Sequence, residues 1–329
     1  DAQTKGVEDG LTRIAGKRDP FSVRRRLAIL INSGRFMEAA AEARDMPPDA
    51  EWVDKGVTAL ARTGDAAKAR ELIEWASRLD DIAVRDRCLL GYAQGQFEYV
   101  LSTRPNDSAI LPGSLSAPER QGLSDVISTL SPVLKVVEGH GRVLNTLEEQ
   151  SLLTALNTGY LLGDSGLVES LASLLETRKP LPLGLAQFVL SRSVAASDSI
   201  PERLLAEHPN SFEAARFAFL IEGICLALPR VAFEKARSFN VEMLSESQRL
   251  RLFETLHTLV HEMGTEDRKD VTKHLEEMAP RLIGQDRRTF SLFMAERYLA
   301  SEQPAVAAAI LDESRDENDP QWLQLDSIR

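Results

Sequence analysis

Apolar residues recur along this chain at the spacing of a helix face. Val23, Leu27, Leu30 and Ile31 stand at i, i+4, i+7 and i+8, which lines one side of an α-helix. Ser33-Gly34-Arg35 breaks the run. Phe36, Ala39, Ala40 and Ala43 resume it as far as Pro47-Pro48, where a helix cannot continue. Residues 20–46 therefore read as a helix hairpin. A second hairpin follows, with Val53, Val57, Leu60 and Ala61 before a break at Gly64-Asp65 and Ala69, Leu72, Ile73 and Ala76 after it. A third runs from about Ile82 to Tyr92, is expected to turn at Gly95-Gln96-Phe97, and continues through Val100. The turn glycines Gly34, Gly64 and Gly95 are 30 and 31 residues apart. Self-similarity at such a period marks a solenoid, because one hairpin cannot bury both its apolar faces and stacked hairpins can.

Residues 102–118 interrupt the rhythm with three prolines among Ser, Asn, Asp and Gly residues, and they read as an exposed, mobile loop. Helical spacing resumes over 119–137 and stops at Gly139-His140-Gly141. Further hairpins are expected at 147–162 with 167–176 around Gly163-Asp164-Ser165-Gly166, and at 183–195 with 200–207. Others are expected at 211–227 with 230–238, with Pro229 opening the second helix, at 246–263 with 266–278, and at 286–300 with 304–313. No window alternates with period two, so the expected fold is all-α. The organisation reads as hairpins over 1–101, the loop 102–118, and helical repeats over 119–329 continuous with the first set.

The segments GRFMEAA, GDAAKAR and GQFEYVL resemble the turn of a tetratricopeptide repeat, in which a small residue follows the turn glycine by about five positions. Ala39 and Ala69 hold that place, and Val100 does not. Pro209-Asn210-Ser211 resembles the linker between two such repeats. Ala295, Tyr298, Ala307 and Leu311 match the family's small, aromatic, small and large positions. The period is shorter than the family's, and Val23, Val53 and Val84 stand where the family has an aromatic, so the repeats are degenerate. The resemblance implies a right-handed α-solenoid of about eight antiparallel hairpins, its first helices lining a concave face. It also implies a protein–protein interaction scaffold without catalysis, binding a peptide or partner protein in that groove. The alternative is a regulatory or sensor domain of a larger enzyme such as a protease or NTPase, in contact with its flanking domains.

Alignment on the turn glycines places four positions of each first helix inward. These are Phe21, Arg24, Ala28 and Ile31, then Glu51, Asp54, Thr58 and Ala61, then Ile82, Arg85, Leu89 and Tyr92, then Gln150, Leu153, Asn157 and Tyr160. Arg24, Arg85, Tyr92, Asn157 and Tyr160 are the candidate partner-binding residues, since Arg and Tyr concentrate interface energy and amides pair with main chain. Lys68 and Arg70 are expected on the convex side.

Composition and charge narrow the picture. Of 329 residues, 39 are Lys or Arg and 50 are Asp or Glu, a net charge of −11. Such a chain repels phosphate unless it gathers a basic face, and Arg24-Arg25-Arg26 points in three directions on a helix, so nucleic acid is not an expected partner. No stretch of 18 apolar residues is present, so no membrane span is expected. The chain begins with Asp rather than Met. Asp1-Ala2-Gln3 fits a mature N-terminus after signal removal, hence a periplasmic protein, and equally a fragment of a cytoplasmic one.

Cys88 and Cys225 are far apart in apolar runs, which reads as buried small hydrophobes rather than thiol ligands. No P-loop, nucleophile elbow or zincin motif is present, so no cofactor is expected. His257 and His261 share a helix face with His274 on the paired helix, but they flank a stripe of Leu252, Phe253, Leu256, Leu259, Val260 and Met263, and no metal is expected there. The acidic pairs Glu148-Glu149, Glu276-Glu277 and Asp312-Glu313 read as solvated or helix-end charges. Trp75 is expected in packing, and Trp322 is expected to cap the last hairpin or to touch a continuation of the chain.

Overall fold

The computed structural model describes residues 2–103, 114–138, 143–194, 196–239, 243–264, 284–300 and 303–313. Among these every regular element is helical, and no strand occurs. Contacts divide the chain into two compact units, Asp1–Leu185 and Ala186–Arg329.

The first unit holds α1 (Ala2–Ile14), α2 (Pro20–Asn32), α3 (Phe36–Asp45), α4 (Val53–Arg62), α5 (Ala66–Ser77), α6 (Ile82–Ser102), α7 (Ala117–Glu138), α8 (Thr146–Leu162) and α9 (Ser165–Glu176). Local chemistry sets the ends of these helices. Asp19 accepts from the Ser22 amide with Pro20 in the first turn of α2. Asp65 caps α5 through the Lys68 amide. Asp81 caps α6, Asp164 caps α9, and Asn145 with Glu148 forms a reciprocal box on α8. Each such cap satisfies amides that have no partner inside the helix.

Three turns share one design. Gly34, Gly64 and Gly163 have φ of 76°, 82° and 75°, a left-handed conformation that favours glycine. The amide after each glycine bonds back to the helix it leaves, Arg35 to Leu30, Asp65 to Leu60 and Asp164 to Gly159, the pattern of a Schellman stop. The flanking helices pack on each other as α2 on α3, α4 on α5 and α8 on α9. The first helices also stack in succession, α2 on α4, α4 on α6 and α6 on α8, while α3, α5 and α7 each lie against the next first helix. This unit is therefore a two-layered helical repeat. Its core is small-residue rich where helices cross: Ala39, Ala40, Ala43, Ala69 and Ala76 are all buried among Val23, Leu27, Val57, Leu60 and Trp52.

The expected turn at Gly95 is not there. Residues 82–102 form one unbroken helix. A Cβ on Gly95 would lie 2.6 Å from the Thr58 carbonyl oxygen, and one on Gly91 would lie 2.6 Å from Thr58 Oγ1. These glycines, one turn apart, let the backbone of α6 close on α4. Gly95 serves a helix crossing, not a reversal of the chain. Of the expected loop 102–118, residues 104–113 lie outside the described residues. Its distal part is not exposed throughout, since Leu115 is buried with Val100, Leu123 and Leu161.

The second unit contains most of α10 (Leu183–Arg192), then α11 (Ser199–Glu207), α12 (Phe212–Leu220), α13 (Pro229–Ala236), α14 (Glu246–His261), α15 (Gly284–Ala300) and α16 (Pro304–Glu313). Helix α12 runs on through a π-helical stretch, Ile221–Cys225. Antiparallel partners are α12 with α13 and α15 with α16, while α12 packs on α14 and α14 on α15. Phe212, Phe219, Phe233, Phe253 and Phe290 form the core, with Phe212 and Phe219 edge-on to Phe239 at 5.9 and 5.7 Å. The helix expected at 266–278 lies outside the described residues.

Candidate groove on the first unit

The first helices of the repeat border two clefts. The wider, about 730 Å³, is lined by Arg24 of α2, Asp54 and Lys55 of α4, Ile82, Arg87 and Leu90 of α6, Val133 and Val136 of α7, and Leu147 of α8. The narrower, about 390 Å³, is lined by Ile31, Phe36, Arg62, Phe97, Leu153 and Asn157. Thr58, Gln94 and Gln150 line both, so the clefts meet at a polar waist and form one groove across α2, α4, α6 and α8.

Most charges along this groove are paired. The Arg24 Nη1 donates to Asp54 Oδ1 at 2.9 Å and also to the Glu51 carbonyl. Lys55 Nζ lies 3.9 Å from Asp54. Arg62 sits 3.2 Å from Glu98 and 4.0 Å above the Phe36 ring, a guanidinium held flat on an aromatic face. Asp86 accepts from Arg85 at 2.9 and 2.7 Å. Glu148 is committed to the cap of α8 through the Asn145 amide. At the waist, neither Gln94 nor Gln150 has a side-chain hydrogen bond among the described residues.

The candidate residues read from the sequence scatter accordingly. Arg24 lines the wide cleft, and Asn157 lines the narrow one while donating to the Leu153 carbonyl at 2.9 Å. Arg85 lines neither and is turned to Asp86. Tyr92 is wholly buried: its hydroxyl lies 3.3 Å from Asp125 on α7, and Arg70 of α5 lies 5.7 Å from its ring centroid and pairs with the same carboxylate. Burial raises the Tyr92 phenol above its ordinary value. Tyr160 packs against the Val100–Leu123–Leu161 cluster and lines neither cleft. For Arg85 and Tyr92 the cause is register. Counting back from a turn at Gly95 rotates the face of α6, whose groove side is flanked by Ala83, Arg87, Gly91, Gly95 and Phe97 and centred on Ile82, Asp86, Leu90, Gln94 and Glu98. The central positions are i+4 steps from Ile82, a signal present in the sequence once α6 is read as one helix. Arg70, expected to be an idle convex residue, bridges two second helices.

Other candidates resolve plainly. Cys88 is buried, and desolvation pushes its thiol up to about 12. Half-buried Cys225 is raised for the same reason. The His257 and His261 rings stand edge to face with centroids 4.5 Å apart, and His274 lies outside the described residues. Among the described residues no group of three or more His, Cys, Asp or Glu side chains is placed to hold a metal ion, and no helix is long and apolar enough to cross a membrane. Trp75 packs half-buried on the first core. His140, Glu276, Glu277 and Trp322 lie outside the described residues.

No family model matches the chain. No curated protein matches it either. Among solved structures it is similar to the crystal structure of the yeast Tom70 at 12% identity, over 99% of this chain and 91% of that one, with a TM-score of 0.22, which is too low to carry a shared fold.

Proposed function

We propose that this chain is a protein-interaction scaffold, a degenerate tetratricopeptide-like repeat whose first unit holds an extended polypeptide along the groove across α2, α4, α6 and α8. The observation that carries this reading is the waist at Thr58, Gln94 and Gln150, which joins two clefts into one channel. A carboxamide offers one acceptor and two donors, the complement of a peptide main chain. An extended segment has main-chain groups to spare for such pairing, and a helix has spent its own. Ile82, Leu90, Leu147 and Val136 on one side of the waist and Ile31, Phe97 and Leu153 on the other supply apolar contact for side chains. The role is binding rather than chemistry, and both thiols are biased towards their protonated, unreactive form.

The test is selection of a random peptide display library on the whole chain, followed by titration of a selected synthetic peptide. A Gln94→Ala, Gln150→Ala double variant is expected to bind that peptide about tenfold more weakly. A control pair on α5 away from the groove, Lys68→Ala with Glu74→Ala, is expected to leave binding unchanged. Failure of any peptide to be enriched, or unaltered binding by the glutamine variant, sinks the reading.

A further inference from the structure

Each carboxylate in the wide cleft has a partner within the chain. Asp54 is held by Arg24 with Lys55 nearby, Asp86 by Arg85, and Glu148 by the first turn of α8. The cations do not balance this. Arg87, on the same helix as Arg85, has neither a hydrogen bond nor an ion pair among the described residues, and its Nε is shielded from solvent without an acceptor. A half-buried guanidinium with an unanswered donor is costly, and a carboxylate on its accessible terminal nitrogens relieves that cost through charge-assisted hydrogen bonds. Beside it the cleft exposes apolar surface. Ile82 is 68% exposed and Val136 is 47% exposed, and both line the cleft with Leu90, Val133 and Leu147. Scattered singly such side chains are ordinary, but gathered in one cleft they form an apolar patch of the kind that marks an interaction site.

We propose that the wide cleft recognises an acidic side chain next to a large apolar one on the bound polypeptide, with Arg87 pairing the carboxylate and the Ile82–Val136 wall covering the apolar neighbour. This rests on the peptide-binding reading above and adds the chemistry of the occupant. The protein's net charge of −11 opposes an acidic ligand at long range. The selection therefore falls on one desolvated contact, where attraction between opposite charges is weakly screened. Arg87 thereby separates a Glu- or Asp-bearing segment from its amide counterpart.

The experiment uses the same peptide selection on the whole chain. Wild-type protein is expected to enrich sequences with Asp or Glu adjacent to Leu, Ile, Phe or Val. A selected peptide whose acidic residue is changed to its amide is expected to bind about tenfold more weakly to wild type, and to bind the Arg87→Gln variant no more weakly than the acidic form does. Arg87→Glu is expected to shift the enriched sequences towards Lys or Arg. Unchanged circular dichroism and thermal midpoint in both variants separate lost recognition from lost fold. Enriched peptides without an acidic position, or an acidic preference that survives Arg87→Glu, overturn the assignment of Arg87 while leaving the groove standing. No enrichment at all overturns the peptide reading itself. A dimer of the free chain that dissociates on Arg87→Glu places a second copy in the cleft and also overturns the proposal.

Discussion

The Arg24 guanidinium reaches from α2 to the Asp54 carboxylate on α4, 2.9 Å away, and the aspartate is 6% exposed. The pair ties the first two inner helices of the repeat where they border the groove. Removing Arg24 leaves a desolvated carboxylate whose remaining ion-pair partner among the described residues is Lys55 at 3.9 Å. Breaking a buried pair in this way is costly, but Arg24 is itself 32% exposed, which lowers the figure. Arg24→Ala is expected to destabilise the first unit by about 1–2 kcal/mol. Asp54→Asn, which removes the buried charge, is expected to cost less. Urea unfolding followed by circular dichroism measures both, and equal midpoints for wild type and Arg24→Ala would show that the pair holds nothing together.

Two helical glycines should respond oppositely to the same change. In an open helix Gly→Ala gains up to about 1 kcal/mol. Gly6 on α1 has nothing within 4 Å of an added Cβ, whereas at Gly91 the added atom meets Thr58 Oγ1 at 2.6 Å and the Asp54 carbonyl oxygen at 2.9 Å. Gly6→Ala is expected to raise the unfolding midpoint slightly. Gly91→Ala is expected to cost about 1–3 kcal/mol, because backbone must move. A Gly91→Ala protein as stable as wild type would mean that α4 and α6 lie further apart than described.

The hairpins around Gly34, Gly64 and Gly163 were legible in the sequence because each turn carries its own instruction, a glycine that reverses the chain and, in two of the three, an aspartate that caps the next helix. The packing role of Ala39 and Ala69 was legible from their distance to those glycines. At Gly95 the same residue type answers a different demand, the close approach of α4, which appears only when the two helices are in contact. Misreading it rotated α6, so Arg85 and Tyr92 were placed on the groove, and Arg87 and Gln94 were not. Tyr92 is also a long-range case, since its ring and hydroxyl meet Arg70 and Asp125 from helices on either side. Arg24 and Asn157, on helices whose ends were read correctly, do line the groove, but Tyr160, on the same helix as Asn157, packs on the Val100–Leu123–Leu161 cluster instead.

Alkaline pH should weaken the first core. Burial raises the Cys88 thiol to about 12 from an ordinary 9.0, and the Tyr92 phenol moves up for the same reason. The folded state thus holds these protons more tightly than the unfolded state. Their share of stability is complete below about pH 9 and is lost as pH rises towards the folded-state values. Cys88→Ala is expected to move the alkaline unfolding midpoint upward, measured by circular dichroism across pH. At neutral pH iodoacetamide is expected to modify half-buried Cys225 before Cys88, as mass mapping of the native protein would read. Early labelling of Cys88 contradicts its place in the core.

On the acid side Asp65 matters. The Arg44 side chain donates to it at 2.7 Å, and this bond, with the Lys68 amide, holds the carboxyl below its ordinary value against the opposing effect of burial. Stability from this group is present above the ordinary carboxylate range and disappears as pH falls through the lowered value. Arg44→Ala is expected to flatten that acid limb while leaving the alkaline one unchanged. A pH profile of the thermal midpoint distinguishes the two.

Asparagine separates a turn glycine from a crossing glycine. It is the residue that best tolerates the left-handed conformation after glycine itself. Gly34 has φ of 76° and open space where a side chain would go, so Gly34→Asn is expected to cost under about 1 kcal/mol. Gly95 is helical, and the first atom of any side chain there meets the Thr58 carbonyl oxygen at 2.6 Å, Ala61 Cβ at 2.8 Å and the Arg62 amide nitrogen at 3.0 Å. Two of those contacts are backbone, so no side-chain rotation relieves them. Gly95→Asn is expected to cost about 2 kcal/mol or more, with a larger side chain worse than Ala at the same site. It is also expected to weaken binding of a groove peptide, since prising α6 from α4 moves Gln94 relative to Thr58. Had the chain reversed at Gly95, the two asparagine variants would behave alike. Matched unfolding midpoints for Gly34→Asn and Gly95→Asn would restore the turn and return α6 to two helices.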